Sequence, residues 1–261
     1  MSVTLERIDT APFGAATHLV CRACGAHAKL GADYSCWECF GPLEVAYDFG
    51  TVTRELIQSG PFSLWRYAPL LPVPANIAQS RNLSPGMTRL HRADNLAKAL
   101  GITGTLWVKD DSGNPTHSFK DRVVAVAQSA GIQLGFNTLA CASTGNLAHA
   151  VAAAAARAGQ KSVVLVPSNL EQHKIQATAA YNGHVIGIEG NYDDVNRLCG
   201  ELIGEEVSAD WGFVNVNLRP YYAEGSKTVG YEIAEQLGWR LPDQVVIPVA
   251  SGALLTKVDK G

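Results

Sequence analysis

Charge is scarce in this chain and balanced in sign. Only 17% of the 261 residues are Asp, Glu, Lys or Arg and the net charge is -3, so no basic face suited to nucleic acid is expected. Long apolar runs are missing too. The stretch Val151 to Ala156 is mostly alanine and far too short to span a bilayer, so no membrane partner is expected. The opening residues MSVTLERIDTAPFG hold no basic stretch followed by an apolar core, which predicts no signal peptide and a cytoplasmic protein. That compartment argues against a disulfide framework for the six cysteines. No repeat of fixed period is visible. What the chain does have is apolar side chains: 47% of residues, enough for a large core in one or two domains and too many for a disordered chain.

Four cysteines lie close together. Cys21 and Cys24 form one C-x2-C pair, and Cys36 and Cys39 form another eleven residues on. Each pair offers two thiolates from one tight turn, and together they make a tetrahedral sulfur shell for structural zinc. Gly25 and Gly41-Pro42 supply the turn residues. The alternative is four reduced cysteines in a small core, but the segment has few large apolar residues to fold around. A catalytic metal is not expected, because four thiolates leave no open position. His27 is an alternative ligand. Cys141 and Cys199 sit in apolar surroundings and are expected to be buried thiols.

Residues 51–90 are proline-rich and read as a connector. From 105 onward, apolar runs alternate with helical stretches. Strands are predicted over 105–109, 137–142, 161–167, the run HVIGI, the run FVNV and 243–249. Helices are predicted over about 118–134, 147–158, 171–181, 193–206 and 225–237. Uninterrupted apolar strands, each followed by a helix, define an α/β class with an open, doubly wound parallel sheet. Ligands of such a sheet bind beyond the carboxyl ends of its strands, so the loops there carry the chemistry.

Three loops stand out. Asp111 to Arg122 (DSGNPTHSFKDR) leads into a helix whose first turn holds Lys120. A cation is misplaced at a helix start, where the dipole favours anions. Lys120 is therefore either a long solvated side chain or an amine kept partly neutral as a nucleophile or Schiff base. Neighbouring Phe119 either packs against a flat ligand or joins the core. The second loop, Ser143-Thr144-Gly145-Asn146, joins a strand to a helix and reads equally as an anion site or as an ordinary N-cap with a turn glycine. The third, Ala250-Ser251-Gly252-Ala253-Leu254, permits close backbone approach, as a phosphate cradle requires, or is a plain turn.

Together, SFKD (118–121), ASTGN (142–146), EGSKT (224–228) and the four-cysteine ribbon resemble threonine synthases, pyridoxal 5′-phosphate enzymes of fold type II, related to the β subunit of tryptophan synthase. The run GPLEVAYDF (41–49) narrows the likeness to these and to the similar cysteate synthases. The resemblance implies that Lys120 holds the cofactor as a Schiff base and later moves protons at the substrate carbons. It implies that Phe119 lies near the cofactor ring and that Asn146 binds its phenolic oxygen. Ala250, Ser251, Gly252, Ala253 and Leu254 would take its phosphate. Ser143, Thr144 and Gly145 would hold the substrate carboxylate. Arg219, Lys227 and Lys174 are the candidate cations for the phosphate of the substrate, O-phospho-L-homoserine, which with water would give L-threonine and phosphate. The implied organisation is a zinc ribbon region at 1–50, a connector and start of a large domain at 51–104, and a large-domain segment with the lysine at 105–135. A small α/β domain at 136–232 and the start of a second large-domain segment at 233–261 follow.

Two departures matter. Many threonine synthases read NPxRxxGQKT where this chain reads RPYYAEGSKT, so Tyr222 stands at that arginine and Arg219 at the asparagine. Cysteate synthase or a threonine dehydratase-like lyase stays open for that reason. The chain also ends at Gly261, whereas such enzymes continue for roughly another domain, on the order of 100 residues. A fragment with little turnover of its own is therefore expected, with an uncovered apolar strand that favours association into a homodimer. A non-enzymatic zinc-ribbon adaptor and an inactive fragment are the readings from other classes.

Overall fold

The computed structural model describes residues 13–50, 52–74 and 83–261. The ribbon is a three-stranded antiparallel sheet in which β1 (Ala16–Cys21) lies between β2 (His27–Ala28) and β3 (Leu43–Tyr47). Its apolar side, Leu19, Leu43 and Val45, is too small for a core of its own. It joins one continuous cluster with Val124, Leu139 and Val151 of the main body. Stacking of Phe13 on Tyr221 at 5.4 Å and a hydrogen bond from the Tyr221 hydroxyl to the Gly31 carbonyl fasten it there.

After the ribbon come α1 (Arg54–Ser59), capped by the Thr53 hydroxyl, and a 3-10 turn at Leu64–Leu70 that buries Leu64 and Trp65. Next, β4 (Arg89–Arg92) and β5 (Trp107–Asp110) pair antiparallel around α2 (Asp94–Ala99). The strand predicted at 105–109 thus starts two residues later and stands outside the parallel sheet, because its partner is the segment just before it. Then α3 (Lys120–Gln133) runs through the centre, with every residue from Asp121 to Gly131 buried.

The parallel sheet has the order β8-β7-β6-β9, formed by β6 (Thr138–Ala142), β7 (Lys161–Pro167), β8 (His184–Ile188) and β9 (Trp211–Phe213). Between them run α4 (Asn146–Ala158), α5 (Gln172–Ala179) and α6 (Tyr192–Glu201). Side chains alternate across a strand, and here both sets are apolar. Leu139, Cys141, Val164 and Val166 pack in the cluster holding α3 and α4 residues, while Ala140, Ala142, Val163 and Leu165 pack with Val195 and Cys199 of α6. Helices on both faces explain the uninterrupted apolar strands. The alanines of α4 bring it close to the sheet, and Gly159 at φ 72° ends it in the left-handed conformation. Asn191 and Asp194 form a capping box that starts α6.

The helix predicted over 225–237 is α8 (Lys227–Gln236), and a further short helix, α7 (Arg219–Glu224), comes just before it. The joint lies at Gly225, where a Cβ would stand 2.6 Å from both the Arg122 carbonyl oxygen and the Val123 Cα. Only a residue without a side chain lets α7 seat against α3 there. The helix predicted over 193–206 stops at Glu201, and a 3-10 turn covers Glu206–Ser208. The strand predicted over 243–249 does not form. No described strand offers it a ladder, so its apolar residues stay in the open, with Val246 99% exposed. With α8 and α9 (Ala253–Lys260) this segment lines an apolar cavity of about 540 Å³. Among the described residues no helix is long and apolar enough to cross a membrane.

Candidate active site

The chain leaves β6 towards β7 on one side and returns to β9 on the other, so the strand order reverses at β6. In an open parallel sheet that reversal opens a crevice at the strands' carboxyl ends. Ser143, Thr144, Gly145 and Asn146 lie there, directly after β6. Ser143 is buried and its hydroxyl accepts from the Gly145 N–H at 3.3 Å. Asn146 is exposed and opens α4, whose N-terminus has no side-chain cap. Its first N–H groups are thus directed at whatever occupies the crevice, a setting that favours an anion.

Lys120 begins α3 beside this crevice. Its backbone N–H is held by the Ser118 hydroxyl at 3.1 Å, and its amine donates to the Tyr222 hydroxyl of α7 at 3.1 Å. The rings of Phe119 and Tyr222 each lie 5.7 Å from the amine. Burial pushes the Lys120 amine below the usual lysine range, and among the described residues no carboxylate pairs with it. Tyr222 links this lysine to the loop after β6. It has Cys141 of β6 and Tyr192 of α6 as electrostatic neighbours, and Tyr192 in turn donates to the Ala142 carbonyl at 3.2 Å. Burial raises the Tyr222 phenol, against a smaller opposing pull from Arg219, which stands exposed one turn earlier on α7.

One predicted cation is engaged away from Lys120. Lys227 is buried, donates to Glu224 at 2.6 Å and has its amine 4.6 Å above the Tyr47 ring. The side chain of Lys174 is outside the described residues. The Ala250–Leu254 loop leads into α9, with Gly252 at φ 81° and open space where a Cβ would be. No hydrogen bond among the described residues joins that loop to Lys120 or to the loop after β6; its helix is tied instead by Lys257 to Glu224 at 2.6 Å.

Beneath the lysine lies a network that sequence reading missed. Arg122 is fully buried and bonds Asp111, Thr88, Thr228 and Glu232, while Glu232 also takes the Lys109 amine at 2.7 Å. It anchors the first turn of α3 to the residue before β4, to the residue after β5 and to α8. Tyr222 is marked in the sequence only as a departure, at the position where many threonine synthases carry arginine, and not as the partner of Lys120. Asn215, just past β9, is a third. Its amide reaches the Ala142 carbonyl at 3.4 Å and its own carbonyl oxygen is buried without a partner among the described residues.

In the ribbon, the Sγ atoms of Cys21, Cys24, Cys36 and Cys39 all lie within 4.8 Å of one another. Cys21 and Cys39 are 3.5 Å apart and Cys24 and Cys36 3.7 Å. Four sulfurs bound tetrahedrally at zinc's bond length stand about 3.8 Å apart, so the set fits a metal ion. Gly41 keeps the space open, since a Cβ there would meet the Cys21 sulfur at 2.9 Å. His27 is not part of the cluster; it stacks on His18 at 4.3 Å. Cys141 and Cys199 are free and buried, and burial raises the Cys199 thiol to about 11.

Residues 82–259 match the family of pyridoxal-phosphate dependent enzymes, and the chain belongs to that family. It is similar to the threonine synthase of Methanosarcina acetivorans, 38% identical over 94% of this chain and 59% of the relative. The threonine synthase of Methanocaldococcus jannaschii is 36% identical over 87% of this chain and 56% of its own length. The chain thus spans little more than half of these relatives. Among solved structures, a threonine deaminase from Solanum lycopersicum matches 66% of this chain and 46% of its own, at 26% identity and a TM-score of 0.54. The fold comparison thus agrees with a doubly wound α/β body.

Proposed function

We propose that this chain carries the lysine, loops and ribbon of a threonine synthase, which converts O-phospho-L-homoserine and water to L-threonine and phosphate. The observation that carries this is the reach of the likeness. It covers 94% of the chain in the Methanosarcina acetivorans relative, leaving too few residues outside for the ribbon to be excluded. Pyridoxal phosphate, when bound, supplies an aldehyde for an amine and a ring that withdraws electrons from substrate carbons. The donor set suits it: a desolvated lysine amine without a carboxylate partner, two flanking rings, and an uncapped helix start.

In this reading Lys120 is the covalent lysine and afterwards holds and moves protons at the substrate carbons. Phe119 flanks the ring and Asn146 donates to its phenolic oxygen. The N–H groups of Ala250 to Leu254 take its phosphate. Ser143, Thr144 and Gly145 orient the substrate carboxylate. Arg219 faces the substrate phosphate, and Lys227 is the second candidate cation for it, available only if it gives up its pairing with Glu224. The four cysteines hold one structural zinc, which closes the ribbon against the body; the protein acts in the cytoplasm.

The test has three readings. Borohydride reduction with pyridoxal phosphate is expected to leave a pyridoxyl group on Lys120, found by mass spectrometry. Elemental analysis is expected to give about one zinc per chain. Phosphate and threonine are expected in equal amounts from O-phospho-L-homoserine. That assay is run on the chain, where little turnover is expected, and on a chimera continued from Gly261 with the corresponding remainder of the Methanosarcina acetivorans enzyme. Consumption of sulfite with phosphoserine by the chimera, without threonine, would replace this function with cysteate synthesis.

A further inference from the structure

The Lys120 amine has one hydrogen-bond partner among the described residues, the Tyr222 hydroxyl at 3.1 Å, and that hydroxyl has no other. A buried tyrosine commonly spends its hydroxyl on a backbone carbonyl, as Tyr221 does on Gly31 one residue earlier in the same helix. Tyr222 is turned the other way, onto an amine at the start of another helix. We propose that Tyr222 is a further catalytic residue, whose phenol oxygen fixes the direction and the protonation of the Lys120 amine. This rests on the reading of Lys120 as the reactive lysine.

The chemistry follows from the donor count. An ammonium carries three N–H donors and no acceptor; a neutral amine carries two N–H donors and a lone pair. With one N–H given to the phenol oxygen, the lone pair of the neutral amine is directed off that axis, towards an incoming electrophile. When the amine is charged, the same oxygen is its one fixed acceptor. The surroundings add little else. Phe119 on its own element is apolar, and Tyr222 brings Cys141 from β6, Tyr192 from α6 and Arg219 from α7 as its ionisable neighbours. Cys141 is buried, with its thiol raised by burial and therefore neutral, and Arg219 acts on the Tyr222 phenol, while burial alone lowers the Lys120 amine. The phenol is thus the nearest group able to favour the charged amine.

The experiment is trace acetylation with acetic anhydride from pH 6 to 11, read at each lysine by mass spectrometry. Each lysine's profile is normalised to its own high-pH plateau, so a change of access drops out. In Tyr222→Phe the ammonium loses its acceptor. The Lys120 midpoint is expected to move to lower pH, and its normalised rate at neutral pH to rise by about tenfold, the equivalent of one hydrogen bond. Exposed Lys161 is expected to keep its profile. Replacement of Tyr222 by 3,5-difluorotyrosine keeps the shape and weakens the acceptor. It is expected to give a smaller shift in the same direction, and it serves where the phenylalanine variant folds poorly. Lys120 profiles that superimpose in the native and substituted proteins, or that move to higher pH, would overturn the proposal. The labelling needs no cofactor. A shift at Lys120 without a pyridoxyl adduct there would sink the cofactor reading and leave the role of Tyr222 standing.

Discussion

Two cations share the first turn of α3 and could hardly be treated more differently. Arg122 is fully buried, and each arm of its guanidinium is matched by Asp111, Glu232, Thr88 or Thr228. Lys120 is half-buried and meets one phenol. Burial acts on both. For Arg122 two carboxylates outweigh the loss of water, so the charge is permanent. For Lys120 nothing outweighs it, so the amine sits nearer to neutrality. Partner count, rather than depth, separates a cation that fixes architecture from one that is chemically available.

The largest test of that contrast is Arg122→Met. It leaves Glu232 and Asp111 facing a hydrocarbon, and urea unfolding is expected to show a loss of about 3–5 kcal/mol. Glu224→Gln asks whether the second buried network behaves like the first. Lys227 and Lys257 would face a neutral amide, with an expected loss of roughly 2–3 kcal/mol in the same assay. The pH dependence sharpens the comparison without substitution. Burial alone would raise Asp111, Glu224 and Glu232, but their cations hold all three below the usual carboxylate range. A depressed folded pKa stabilises fully above the unfolded value and ceases to do so as pH falls through the folded one. The urea midpoint is therefore expected to be flat from about pH 7 to 5 and to fall below about pH 4. Asp121, raised by burial, works in the opposite direction and recovers part of that loss. The smallest effect is expected for Lys120→Met. Removing a poorly partnered amine is expected to change stability by less than about 1 kcal/mol, in either direction, while abolishing the borohydride-fixed adduct. A loss as large as that of Arg122→Met would break the contrast.

The parts of the site that could be read in the sequence are those written in short segments. The paired C-x2-C turns, the loop into Lys120 and the small residues after β6 each lie within one short stretch of chain, and local chemistry gives them away. Tyr222 against Lys120 and Glu232 against Arg122 join positions about a hundred residues apart. Nothing local in either segment announces its partner. Lys227 is the contrary case: the Glu224 that holds it stands three residues earlier in the same run EGSKT, and their burial together is what the sequence does not announce. For 243–249 the apolar pattern was right and the strand was not, because a ladder depends on a neighbour that the run itself cannot specify.

Gly225 gives the site a gauge. The joint of α7 and α8 touches α3 with no room for one carbon atom, three residues from Tyr222 on one helix and two from Lys120 on the other. The gap between phenol and amine is therefore metered by a missing methyl group. Alanine at 225 would lift one helix off the other and draw the oxygen out of reach of the nitrogen, while leaving every functional side chain in the sequence. A protein engineer comparing motifs would count such a variant as intact. The position is a mechanical stop, and its setting decides whether the phenol and the amine ever meet.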